Sequence, residues 1–600
     1  MRLRPLMWLA ALLLSVIATN SQAYTYGDTL TVIWRPLPNL PALARPGDSF
    51  TVWANGPSTA ANWAASLKYG SLVVPLAPTG GGWQPTKNRW ELSFGVPAGV
   101  PEEVYALILN SDSTLPDTAS HAVKVLPQFA SDYYFAQISD THLPEHAFSS
   151  NGTINVADTS GMGDFSAVIE DLNIIHPQYI LHTGDLVNEG ELEEYLSMYE
   201  MGRALGMLNR LRDPIFVTSG NHDIGGWQLT PPPDGNSRMN WWRHYGWPFL
   251  GNPPAGDPYH SQDYSFDYGP LHVIGMEAYI NNGSYDHYLQ NIWGAQSFSP
   301  EQMSRLQADI SAQPPGTHKL LFYHYDFGGT IGLNTPGAKF SQINPAALGI
   351  DGAIWGHNHG IAEGNRTAVP FNLGLQSVID RRAFRIFRVH NGVISPAPMH
   401  KSGGSSGALT DSMSLAWTAP NDGTRSLLGA TVVNRFGEAF EHSRLIFHML
   451  NHDSTFVATG GTIAQVLRQG GIASVYVDFT LPASGSAVLS VRTGLPVLGV
   501  PGSGPRGFTL QAAPNPFHAS GGSSVAIRFA LPTAQRARIE VFDLDGRRIM
   551  TLADGVISPG EHVVRWDGRT RERAEAPPAV YLVRLTGALG TRTSRLVLAR

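Results

Sequence analysis

The chain has 600 residues, too many for one core, and at ~100 to 200 residues per domain several domains are expected. Charged residues make up 15%, against the usual ~25%, and 63 glycines with 43 prolines point to turns and short strands. A formal net charge of −7 excludes a nucleic-acid binder driven by a basic surface, and zero cysteines exclude a disulfide framework and a lipid-modified N-terminal cysteine.

Arg2 and Arg4 precede the mostly apolar Leu6 to Ala18 and the small residues Ser21 and Ala23, the pattern of a secretory signal cleaved after Ala23. The apolar run is shorter than the ~20 residues that span a bilayer. A secreted or cell-surface protein of bacterial-type export, without a membrane span once residues 1–23 are removed, is therefore expected. Residues 24–128 alternate runs such as Ser49–Trp53 and Tyr105–Leu109 with Pro, Gly and Asn clusters, which reads as an N-terminal β-sandwich.

From 129 to 401 the pattern changes to strands alternating with helices, and so to an α/β domain. Helical spacing covers Phe165–Ile175 and Leu192–Leu211, and a third helix over Pro300–Ile310 has Ser299 as its expected cap. The long insertion between Asp223 and His324, with Trp241, Trp242, Tyr245 and Trp247, is placed over the polar rim as a binding element, with simple packing of a subdomain as the alternative.

The chemistry sits at strand ends. Phe135–Ile138 runs into Asp140 and His142, Tyr179–Leu181 into Gly184-Asp185, and Ile215–Val217 into Gly220-Asn221-His222-Asp223. Lys319–Tyr323 ends at His324, and Ala353–Trp355 at Gly356-His357-Asn358-His359. In an open α/β sheet the carboxyl ends of strands line one rim, so Asp140, His142, Asp185, Asn221, His324, His357 and His359 are expected to converge. Imidazole, carboxylate and amide donors without thiolates suit Zn, Mn or Fe, and seven side chains suit two divalent ions that share one carboxylate.

These motifs resemble the calcineurin-like metallophosphoesterase family: Asp140-Thr-His142, Gly184-Asp185, Gly220-Asn-His-Asp223, His324 and Gly356-His-Asn-His359, all in family order. The resemblance implies two mixed β-sheets flanked by helices. It implies Asp140, His142 and His359 on one metal, Asn221, His324 and His357 on the other, and Asp185 bridging them. His222 is implied as a catalytic residue that assists the leaving group, while a metal-bridging hydroxide attacks a phosphodiester or phosphomonoester. Asn188 departs from the pattern, standing where many members have Asp and purple acid phosphatases a metal-binding Tyr, and it is similar to the cyclic-nucleotide phosphodiesterase branch. A surface adhesion or structural protein with a non-catalytic metal site is the second reading of the chain.

Gly403–Gly407 is a linker that matches a nucleophile-elbow pattern without the strand and helix such an elbow needs. Residues 408–494 read as an accessory β-domain in which His442, His448 and His452 are packed or solvated. Gly502, Gly504 and Gly507 lie in a second linker. Residues 513–600 are β-rich, with a hairpin turn at Asp545-Gly546. Asn515-Pro516-Phe517, the Asp543–Arg547 turn, Trp566-Asp567-Gly568 and Tyr581 resemble the Ig-like C-terminal sorting or attachment domains of type IX-like secretion, which implies contact with secretion or cell-surface machinery.

Overall fold

The computed structural model describes residues 31–144, 160–188, 194–224, 241, 244–245, 263–277, 300–324, 345–359, 364–402, 413–451, 455–494, 509–519, 523–531, 534–558, 560–588 and 590–599. The signal-like residues 1–23, both glycine linkers, Ser299, Trp242, Trp247 and His452 lie outside these. The chain divides into two compact units, 1–496 and 497–600.

The first unit begins with β1 (Ile33–Arg35), β2 (Ala42–Ala44), β3 (Ser49–Ala54), β4 (Ala64–Tyr69), β5 (Leu72–Gln84), β6 (Arg89–Gly95), β7 (Glu103–Ser111) and β8 (Thr114–Val125), hydrogen-bonded in the order β1-β3-β6-β5-β4-β7-β8-β2. In β3 the alternation is plain: Phe50, Val52 and Ala54 are buried while Ser49 and Thr51 face solvent. The first half of β5 pairs with β4 and its second half with β6, so one strand joins both parts of the sheet around a core that includes Val52, Leu67, Phe94, Leu107 and Val123.

The middle of the unit holds β9 (Asp132–Ile138), α1 (Ser160–Ile175), β10 (Ile180–His182), α2 (Glu194–Leu208), β11 (Ile215–Val217), α3 (Asn221–Ile224), β12 (Tyr264–Tyr268), β13 (Leu271–Gly275) and α4 (Pro300–Ala312). It continues through β14 (His318–Phe322), β15 (Gly352–Trp355), β16 (Phe371–Gly374), α5 (Val378–Arg381), β17 (Ala383–His390) and β18 (Val393–Lys401). Two five-stranded sheets result, β11-β10-β9-β17-β18 and β12-β13-β14-β15-β16. Each is mixed: β9, β10 and β11 are parallel, as are β13 to β16, while β17, β18 and β12 run antiparallel to their neighbours.

Side-chain alternation fixes the layers. Ala136, Ile138, Ile180, Ile215 and Val217 share a core with Phe165, Val168, Ile169 and Leu172 of α1 and Met201, Ala204 and Leu208 of α2. The intervening residues Phe135, Leu181 and Phe216 point the other way, into a core with Val273, Leu320, Phe322 and Ile354 of the second sheet. The far face of that sheet, through Ile274, Leu321 and Ala353, packs on Leu306 of α4. Helix, sheet, sheet and helix are thus stacked, which buries the parallel strands on both faces. Trp241 and Tyr245 do not line the rim: both are fully buried in the core beneath α1 and α2, and the Tyr245 hydroxyl donates to the Met201 carbonyl at 2.7 Å.

A further pair of sheets follows in the same unit. Met413–Trp417, Leu427–Asn434, Ser486–Thr493 and Phe456–Thr459 form one, and Phe440–Leu450, Ile472–Leu481 and Thr462–Gln469 the other. Their core, with Val432, Phe447 and Val475, is continuous with that of α1. His442 packs 5.7 Å from the Tyr134 ring, and His448 Nδ1 lies 3.0 Å from the Ser474 hydroxyl.

In the second unit, Thr509–Ala513, Val525–Leu531 and Gly560–Trp566 form a three-stranded sheet. Phe517–His518, Gly590–Ala599, Ala579–Gly587, Gln535–Phe542 and Arg548–Ile557 form a five-stranded one. The Asp543–Arg547 turn joins two of these strands, with Gly546 at φ +80°. Among the described residues no helix is long and apolar enough to cross a membrane.

Candidate metal centre

All seven side chains expected at the rim meet at one place, where the carboxyl ends of both sheets adjoin. Asp140 and His142 follow β9, Asp185 follows β10, and Asn221 and His222 open α3 after β11. His324 follows β14, and His357 and His359 follow β15. His359 Nε2 lies 3.1 Å from His142 Nε2 and 3.4 Å from Asp140 Oδ1. On the other side His324 Nε2 is 3.0 Å from Asp185 Oδ2, 3.2 Å from Asn221 Oδ1 and 3.2 Å from His357 Nδ1. Asp185 Oδ2 is also 3.7 Å from His142 Nε2, so this carboxylate stands between the two groups.

The backbone is bent to bring these groups in. Asp140, His142, Asp185 and His357 all have positive φ, between 43° and 65°, a conformation that costs ~1–3 kcal/mol at a non-glycine residue and concentrates at functional sites. Two motif glycines are there for space: a Cβ on Gly220 would meet Asp185 Oδ1 at 2.2 Å, and one on Gly356 would meet Ser139 Oγ at 1.8 Å. Asp223, the last residue of its motif, accepts from the Gly220 amide at 2.8 Å and the Val187 amide at 2.9 Å and so ties two of the loops together. Burial, reinforced by the Asp185 charge, pushes its carboxyl up to about 7.

The outer nitrogens of three histidines face oxygen acceptors. His142 Nδ1 is 3.2 Å from Asn188 Oδ1, His359 Nδ1 is 2.6 Å from Asp380 Oδ2, and His324 Nδ1 is 2.8 Å from the Thr183 carbonyl. Each contact needs a hydrogen on Nδ1, so in the neutral ring the lone pair is on Nε2. His142 and His359 thus turn their Nε2 atoms toward one another across 3.1 Å, beside Asp140 Oδ1 at 3.4 Å from His359, so that ligand-type atoms gather at one point.

The electrostatics agree. Burial pushes His142 and His357 down to about 4, keeping them neutral donors. Burial also opposes charge on His324 and His359, yet Asp185 and Asp140 around the first, and Asp140 and Asp380 around the second, raise them to about 9. The pocket is therefore built to hold positive charge. Among the described residues three sets of ligand-type atoms lie within 4.8 Å of one another: Asp140, His142 and His359; Asp185, His324 and His357; and His142, Asp185 and His222. His222 donates its backbone amide to Asp185 Oδ1 at 2.9 Å, and its Nδ1 contacts the Asn188 carbonyl.

Asp380 was absent from the sequence-based set. It lies on α5, whose first amides cap the Asp140 loop, Val378 to the Ser139 carbonyl and Ile379 to the Asp140 carbonyl. Its sequence signal is slight: Ser377 three residues earlier makes a capping pattern, and the Ser377 side chain does accept from the Asp380 amide.

Residues 133–360 match the family model of calcineurin-like phosphoesterases. No curated protein matches the chain. Among solved structures, purple acid phosphatase PPD1 from yellow lupin (Lupinus luteus) seeds is 12% identical, over 64% of this chain and 70% of that one, with a TM-score of 0.33. A dimetal phosphatase from Danio rerio is 14% identical over 43% of this chain and 93% of its own, with a TM-score of 0.29. PorZ, a bacterial surface component of the type-IX secretion system of Porphyromonas gingivalis, is 15% identical over 37% of this chain and 29% of its own, at 0.13. The family match spans all five motifs and the whole of the histidine and carboxylate cluster: residues 133–360 are a calcineurin-like phosphoesterase domain, and the protein is a metal-dependent phosphoric ester hydrolase.

Proposed function

We propose that the protein is a secreted dimetal phosphoesterase acting on a phosphodiester or phosphomonoester. The observation that carries this is the convergence of Asp140, His142 and His359 on one side of Asp185, and of His324 and His357 with Asp185 on the other, each set with its ligand-type atoms within 4.8 Å of one another. Asp140, His142 and His359 hold one divalent ion, Asn221, His324 and His357 the other, and Asp185 is shared; Mn, Zn and Fe all suit these donors. Bound there, the ions supply Lewis acidity that lowers the pKa of water and offsets charge on phosphoryl oxygens. His222, with Nδ1 on the Asn188 carbonyl, has Nε2 as its acid–base atom and gives a proton to the leaving oxygen. The β-rich regions 24–128, 408–494 and 513–600 are accessory modules in this reading, the last one a point of attachment to secretion or cell-surface machinery.

The test is a substrate panel on the full chain, bis-ester against mono-ester, before and after chelation and after reconstitution with Mn, Zn or Fe. Hydrolysis lost on chelation and regained on reconstitution is expected. Activity that survives exhaustive chelation would falsify the dimetal assignment.

A further inference from the structure

At the other end of β10 and β11, where these strands begin, lies a cavity of about 490 Å³ walled by all three regions of the first unit. Strands β4, β7 and β8 contribute to it, as do residues just past α1 and α2 and the strands that carry Arg444 and Tyr476. It belongs to no part of the metal centre, from which β10 and β11, three residues and ~10 Å each, separate it.

Its acids are already answered. Glu102 has Lys124 at 3.3 Å, Arg444 at 2.8 Å and His176 at 3.8 Å, one basic side chain from each region, and these hold it down at about 2 against its burial. Burial pushes the Glu103 carboxyl up, and the Tyr476 hydroxyl donates to it. The helix ends are covered too, since the Ile175 carbonyl accepts from the Tyr134 hydroxyl at 2.7 Å and the Arg210 carbonyl from Asn173 at 3.0 Å.

Its bases are in surplus. Lys68, Arg210 and Arg212 line the same space with exposed side chains. Arg210 spends its guanidinium on Ser166 and, at 4.0 Å, on Glu170, neither of which lines the cavity. Lys68 and Arg212 make no ion pair with any described residue. Arg212 is open to the space of the cavity yet surrounded by protein, and that surrounding lowers its pKa although the nearby Asp213 and Glu103 oppose the shift, so its charge is only partly offset. Beside these bases stand the rings of Tyr69 and Tyr476, hydroxyls 3.4 Å apart, with Leu211, Val104 and Ile446 as apolar wall.

We propose that this junction cavity binds a small organic phosphate, its dianionic head between Lys68 and Arg212 and its apolar body against Tyr69 and Tyr476. Two unpaired cations call for a dianion, and a guanidinium fork matches phosphate oxygens. The volume falls within the ~300–1,000 Å³ of ordinary ligand pockets. The site goes beyond the hydrolytic reading and does not depend on it.

The experiment is titration calorimetry on the full chain stripped of metal, so that the rim has no ions with which to hold phosphate. The probes are inorganic phosphate, the head alone, and phenylphosphonate, the head with an aromatic body. Saturable binding of both, tighter for phenylphosphonate and weakened about tenfold or more by Arg212→Ala and by Lys68→Ala, is expected. Thermal unfolding checks that each variant is folded. No binding to the stripped protein, or binding that ignores both substitutions, overturns the site; equal affinity for the two probes overturns the organic body. None of these readouts involves hydrolysis, so failure here and failure of the phosphoesterase reading are separate results.

Discussion

The two ends of β10 and β11 each bury a cluster of charged groups, and the two are built on opposite logic. At the entrance, Glu102 sits among Arg444, Lys124 and His176, so the groups satisfy one another and join three regions of the chain. At the exit, histidines and carboxylates aim their ligand-type atoms at common points, and the Nε2 atoms of His142 and His359 face each other. The difference teaches how to read buried charge. A cluster complete in itself is part of the scaffold, while one that gathers ligand-type atoms from several strand ends around common points is made for something else to occupy.

The largest effects should come from the exit. If His222 is the proton donor proposed above and not a ligand, His222→Ala lowers turnover ~10²- to 10⁴-fold while bound metal and melting temperature stay unchanged. Metal analysis beside the kinetics decides the role: if the ion content drops with the rate, His222 belongs among the ligands, as its closeness to His142 and Asp185 allows.

Glu102→Gln should do the reverse. It removes one charge from the group while Arg444 keeps Asp478 at 2.6 Å and Lys124 and His176 keep Asp213 at 3.8 and 2.9 Å, so the cost is that of losing charged hydrogen bonds, about 1.5–3 kcal/mol. Denaturant unfolding should show this loss, with turnover per folded molecule intact. Equal stability in variant and parent would mean that Asp478 and Asp213 suffice as counter-charges for Arg444, Lys124 and His176. Next in size is Asp380→Asn, which weakens the acceptor on His359 Nδ1. A drop of ~10- to 100-fold in metal affinity by calorimetry is expected, with the fold unaffected. An unchanged affinity would remove Asp380 from the positioning of His359.

The exit cluster was legible in the sequence and the entrance cluster was not, for a physical reason. Metal ligands at strand ends come as short motifs, and the motifs need glycines where a Cβ would collide, as at Gly220 and Gly356, so ligand and spacing appear together. Strands such as Ile215–Val217 announce themselves by being wholly apolar, because both faces are covered. Glu102, His176 and Arg444 are single residues from three regions, each unremarkable in its own neighbourhood, and only the packing of one region on another unites them. Trp241 and Tyr245 show the converse limit: an aromatic-rich insertion leaves a surface for substrate and plain packing as equal readings, because hydrophobicity alone does not say which side of the rim a ring faces, and these two pack in the core. Asp380 was missed because its partner lies 21 residues away on another loop.

Asp171, in α1, completes the contrast because it is a buried carboxyl with neither the cations of Glu102 nor the converging histidines of the rim. Its Oδ2 has no hydrogen-bond partner among the described residues, and burial pushes the group up from 3.8 to about 7. The folded state thus keeps the proton over a range where the unfolded chain has released it. Folding stability tied to this group is full below about pH 4 and is lost as pH rises toward 7, at no more than ~1.4 kcal/mol per pH unit, then levels off. Asp171→Asn, which cannot ionise, should abolish that slope, so that unfolding free energies of variant and parent diverge from pH 5 to 7 and run parallel above it. A constant difference across the range would show that Asp171 ionises in the folded protein as readily as in water, and that burial with only Ser402 and the Met413 amide for company does not by itself set this carboxyl apart from Glu102.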